Sequence, residues 1–135
     1  MAVRWIVSAF LLIFYCADGY AAESALAYIV APAEGAVVTN PVKVIFGLKN
    51  PYGVAPAGVR KDNTGHHHLL IDTSPPSLTA PIPKDENHRH FGNGQTEAEI
   101  ELSPGDHTLQ LLLGDFAHVP HDPPVMSERI TITVE

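Results

Sequence analysis

The stretch Thr96–Leu102, "TEAEIEL", decides the fold. Thr96, Ala98, Ile100 and Leu102 alternate with Glu97, Glu99 and Glu101. A repeat of two is the period of a strand with one face in a core and the other in water. Working outward, "HTLQLLL" places His107, Leu109, Leu111 and Leu113 on one face, and "RITITV" does the same with Ile130, Ile132 and Val134. Upstream, "PVKVIFGLKN" aligns Val42, Val44, Phe46 and Leu48, while "ALAYIVAP" and "HHHLLID" read as two further strands. No segment after the N-terminal region sustains a helical period, and twelve prolines and ten glycines interrupt the chain. The turn "SPGDH" is expected to join the strands on either side of it as a hairpin.

These elements predict an all-β domain, an immunoglobulin-like antiparallel β-sandwich of about six to eight strands with long loops. The loops span residues 50–65, 73–95 and 114–127. Long ordered loops on a small scaffold are where function concentrates.

The N-terminal region differs. Arg4 precedes an apolar run of eleven residues, Trp5 to Tyr15, which is shorter than the roughly 20 needed to cross a bilayer as a helix. Small residues follow in "ADGYAAES". This is the pattern of a secretory signal peptide, residues 1–21, cleaved after Ala21 to leave a single domain over 22–135 with no membrane span. The expected location is the periplasm or the exterior. Cys16, the only cysteine, follows the bulky Phe14 and Tyr15, which argues against lipidation, and its loss with the leader removes disulfides, thiolate ligands and a cysteine nucleophile.

Arg4 and Asp18 cancel, so the domain keeps the formal charge of −7 and lacks the basic footprint of a nucleic-acid binder. Protonation of all eight histidines would bring that charge to +1, so mild acid changes the surface strongly.

"GHHHLLID", "HRHFGNGQTEAEIELSPGDHTLQLLLGD" and "HVPHDPPVMSERITITV" closely resemble the bacterial secreted domains grouped as domain of unknown function 4399. The resemblance covers almost all of the chain after the leader. It implies a small exported all-β domain and carries no activity, so function must be argued from the side chains.

The histidines fall into pairs. His66 and His68 are i and i+2 on a strand, with Cα atoms roughly 6.5 Å apart and side chains on one face, where they can converge on one metal. His67 points the other way, in phase with Leu69 and Ile71, as a buried or half-buried side chain with a hydrogen-bond partner. The opposite phase, with Leu70 inward, exchanges these roles. His88 and His90 form a second pair in a loop. His118 and His121 flank "VP" in a third segment, stiffened by Pro120, Pro123 and Pro124. His107 reads as structural.

His66, His68, His88, His90, His118 and His121 are therefore the candidate metal ligands, placed outside the apolar core, with Asp72, Asp115 and Asp122 as oxygen donors and Met126 as a thioether. A nitrogen-rich set without thiolate suits copper(II) or zinc better than copper(I) or calcium. The reading is an exported histidine-rich binding domain that holds such an ion for storage, delivery or sensing. The alternative is an envelope interaction or structural domain, with Phe91, Phe116 and Tyr52 as its contact surface and another periplasmic or envelope protein as partner. Motif evidence weighs against an enzyme: there is no serine nucleophile motif, HExxH helix or phosphate-binding glycine loop.

Overall fold

Residues 25–135 are described by a computed structural model; the predicted signal peptide, its cleavage site and Cys16 lie outside the described residues. The six strands expected from alternation all form. They are β1 (Ala27–Ala31), β3 (Val42–Leu48), β5 (Thr64–Ile71), β7 (Glu97–Ile100), β8 (Gly105–Gly114) and β9 (Ile130–Val134). Three short strands are additional to those expected: β2 (Val37–Val38), which precedes β3, and β4 (Gly53–Val54) and β6 (His88–His90), which lie within the 50–65 and 73–95 loops. At two or three residues each, they are too short to display a period. No helix occurs among the described residues.

Two sheets face one another. One has the order β1-β3-β7, and the other β2-β9-β8-β5-β4, with β6 added to the edge of β5 beyond β4. The long pairings are antiparallel, whereas the two-residue contacts of β2 with β9 and of β4 with β5 are parallel. Between the sheets, Ala27, Val42, Val44, Phe46 and Ile100 from one layer meet Leu69, Ile71, Leu109, Leu111, Leu113, Ile132 and Val134 from the other. Full burial of each such leucine or isoleucine contributes about 1.5–3 kcal/mol, which holds every strand with its alternating apolar face inward.

"SPGDH" does not close a hairpin. β7 pairs with β3 alone, and β8 pairs with β5 and β9, so the turn carries the chain from one sheet to the other. Gly105, at φ 123°, supplies a backbone conformation that side chains rarely permit. Asn40 holds the preceding end: its Nδ2 donates to the Leu102 carbonyl at 2.7 Å, and its Oδ1 accepts the Leu102 N–H at 3.1 Å. Two one-sided strands can bury their faces side by side or across a core, and a turn of this length permits either.

The outer face of the larger sheet is also covered. Leu70 and Leu112 are buried there with Ile82, and Met126 packs against them. Residues 125–127 continue the β9 edge along β8 through Leu113 N–H to Val125 O and Ser127 N–H to Leu111 O, both 2.9 Å. The 73–87 segment is tied down by Asn87 Nδ2, which donates to Ile71 O at 2.8 Å. It meets the 115–124 loop where Ile82 N–H donates to His118 O at 2.8 Å. β5 is consequently buried on both faces.

Candidate metal centre

Strand alternation separates the three consecutive histidines. His67, with Leu69 and Ile71, enters the core between the sheets, its ring centroid 5.1 Å from that of Phe46. The hydrogen-bond partner expected for it is absent: both ring nitrogens are buried without a protein partner. His66 and His68 take the opposite face, but the loops cover that face, so both are 0% exposed instead of facing outward.

Register adds the third imidazole. β6 runs antiparallel to β5 with His90 opposite His68 and His88 opposite Leu70, and directly opposed residues project from the same side. "HRH" is thus a strand, and its His90 reaches the pair on β5. The fourth imidazole comes from the 115–119 turn. Asp115 Oδ1 accepts the N–H groups of Ala117 at 2.8 Å and Val119 at 2.9 Å, and His118 N–H donates to Asp115 O at 2.9 Å. His118 itself takes φ 68°, which turns its side chain over β5.

The resulting group is compact. Ring centroids of His66, His68, His90 and His118 are separated by 4.8 to 6.0 Å in all six pairs. Four imidazoles bound tetrahedrally to one ion, with metal–nitrogen bonds near 2.0–2.1 Å, would have centroids about 5 Å apart. His66, His68 and His90 each offer a ligand atom within 4.8 Å of the other two, while His118 lies outside that tighter set. The Nε2 atoms of His66 and His68 are 3.1 Å apart. Two nitrogens on one ion at those bond lengths lie about 2.9 Å apart at a right angle and about 3.3 Å apart at the tetrahedral angle.

Small residues make this approach possible. A Cβ on Gly114 would sit 2.9 Å from His68 Nε2, and one on Gly92 would sit 2.7 Å from His90 Nε2. Sequence reading passed over both glycines, because nothing in "LLLGD" or "FGNG" announces an imidazole from another strand overhead.

The electrostatics favour neutral rings. Burial, followed by repulsion from neighbouring histidines, lowers His66 to about 4 and His68 to about 3. The same causes, burial first and then His118, lower His90. Neutral imidazoles keep the lone pairs that a metal requires. His90 Nε2 is also buried without a protein hydrogen bond. Buried polar atoms are normally satisfied, so this orphan fits a donor awaiting an ion.

Two candidates are not brought to this group. His88 Nδ1 binds Asp85 Oδ1 at 2.7 Å, because the Asp85–His88 turn curls its side chain back. His121 lies edge-on to Tyr52 with ring centroids 5.0 Å apart, because Pro120 bridges to Gly114 and the chain turns away before it. Two of the three expected oxygen donors are engaged elsewhere and the third is on the surface. Asp72 binds His107 Nδ1 at 2.6 Å and the Thr108 N–H at 2.8 Å, Asp115 caps its own turn, and Asp122 is exposed. Met126 packs with apolar side chains. His107 has the structural role expected of it, its Nε2 donating to Ser103 O at 2.8 Å. The aromatic residues read as a contact surface are half-buried: Phe91 packs on Phe46, Tyr52 on His121, and Phe116 lies under Arg60.

The profile of a protein family, domain of unknown function (DUF4399), matches residues 44–135. The chain belongs to this family. No curated protein and no solved structure matches it. The DUF4399 span contains all four clustered imidazoles together with Gly92 and Gly114, so the whole candidate centre lies within the family domain.

Proposed function

We propose that this DUF4399 domain is an exported metal-binding module that holds one transition metal ion, copper(II) or zinc, for storage, delivery or sensing. His66, His68 and His90 are its ligands, and His118 stands at the fourth corner. The observation that carries this reading is the convergence of three imidazoles, two fully buried and His90 half-buried, whose ligand atoms lie within 4.8 Å of one another. A bound ion would draw on the lone pairs of rings that burial keeps neutral, and would satisfy the orphaned His90 nitrogen. Absence of sulfur and of a free carboxylate in the group favours copper(II) or zinc over copper(I) or calcium. Asp115, whose charge acts on His66, partly offsets the ion's own charge. The leader-like segment before the domain supports a periplasmic or extracellular setting, with another envelope protein as donor or recipient of the ion.

The test is titration of untagged, chelator-treated protein with zinc and with copper(II), followed by calorimetry and elemental analysis. One ion per chain is expected, and His68→Ala with His90→Ala should abolish uptake while the β-sheet circular dichroism persists. Unchanged uptake by the double variant would overturn the assignment.

A further inference from the structure

The proposed centre is closed on most sides. His66 and His68 have no exposed surface, and Gly114 lies against the His68 ring, with no room for a Cβ between them. His90 is different. It belongs to the cluster and also lines a cavity of about 490 Å³, which His88 lines too. The two are i and i+2 on β6, so their side chains leave the same face with Cα atoms roughly 6.5 Å apart.

His88 also differs from His107, the other histidine bound to an aspartate. His107 has both ring nitrogens engaged, by Asp72 and by Ser103 O. His88 has only Nδ1 engaged, by Asp85, whose carboxylate is itself held by the N–H groups of Asn87 at 2.9 Å and His88 at 3.0 Å. A carboxylate on Nδ1 places the proton there and leaves the lone pair on Nε2, the arrangement that orients metal-binding histidines. Three carboxylates, Asp85, Glu86 and Glu99, outnumber the two cationic side chains of the cavity wall, which favours a cation over an anion as its visitor.

Resting on the metal-binding reading, we infer that this cavity is the port through which the ion reaches the centre, and that His88, oriented by Asp85, is its capture ligand. His88 Nε2 replaces one water of the hydrated ion. His90 replaces a second, and the His88 bond is released as His66 and His68 complete the coordination, the displaced waters leaving through the cavity. No electron is transferred, and His88 is not a ligand of the final complex.

The experiment is stopped-flow loading of zinc from a chromogenic chelator into the full domain. His88→Gln keeps a donor to Asp85 but has no imidazole. Its bimolecular loading rate should fall about tenfold, as loss of a local capture site predicts, with the dissociation constant changed less than about twofold. Asp85→Asn should slow loading by a smaller factor, and serves if the first variant folds poorly. Equal loading rates in wild type and both variants would overturn the port. So would an equal fall in affinity, which would make His88 a ligand of the final site. Failure of wild-type protein to bind zinc or copper(II) at equilibrium would overturn the metal reading itself.

Discussion

Replacement of His67 by leucine should stabilise the domain, although it removes a fully buried side chain from the centre of a strand. His67 stands between Leu69, Phe46 and their neighbours with neither ring nitrogen bonded to protein. An unsatisfied buried polar atom costs about 1–3 kcal/mol, and a swap of similar volume in a core costs less than about 1.5 kcal/mol. The net expectation at pH 7 is a gain of about 1–2 kcal/mol from these two terms. The pH dependence sharpens the test. Burial lowers His67 to about 4, against an ordinary value of 6.5. The folded state therefore keeps the ring neutral while the unfolded chain takes up a proton. The contribution is fully present above pH 6.5 and is lost as pH falls towards 4, by roughly 3 kcal/mol for a displacement of that size. His66 and His68 behave in the same way and are common to both proteins; His67 is the smallest of the causes that lower them, so subtraction reports His67 together with its weak coupling to these two rings. Urea unfolding of metal-free wild type and His67→Leu, followed by circular dichroism at pH 7.0 and about 4.5, measures both quantities. The advantage of the variant should widen by roughly 2–3 kcal/mol at the lower pH. A variant less stable at pH 7, or a gap independent of pH, would refute the reasoning.

Gly114→Ala should leave the sheets formed but push the new Cβ towards His68 Nε2, costing about 1–3 kcal/mol of stability by overpacking and weakening zinc uptake in calorimetry; unaltered uptake would mean that the space is not needed. Asp72→Asn keeps the positive-φ turn at residue 72 tolerable but weakens the bond that, ahead of all other causes, raises His107. A raised group stabilises the fold fully below its unfolded value near 6.5 and ceases to do so as pH rises through its folded value, so the variant should lose more stability at pH 5.5 than at pH 9 in parallel melts. His121→Ala should retain full metal stoichiometry by elemental analysis, since its ring lies against Tyr52 and not in the cluster. Zinc at about 100 times its dissociation constant should stabilise wild type by about 2.7 kcal/mol, and a chelator should reverse the gain in a thermal melt.

Alternation at a period of two determined much of this protein from the sequence alone. It set six strands and the inward faces of four of them, and it divided His67 from His66 and His68 while leaving open which of the two sides enters the core, because side-chain direction along a strand is a local consequence of the backbone. The choice between crossing the core after Leu102 and pairing beside it depends on which strand wins the neighbouring edge, and "SPGDH" is compatible with both. The choice of His90 over His88, and of His118 over His121, came from the register of a three-residue strand and the path of a loop capped by Asp115. The burial of the outer sheet face came from loops whose apolar residues, Ile82 and Met126, show no period at all. Local spacing states which way a side chain points; only long-range pairing and packing decide what waits for it there.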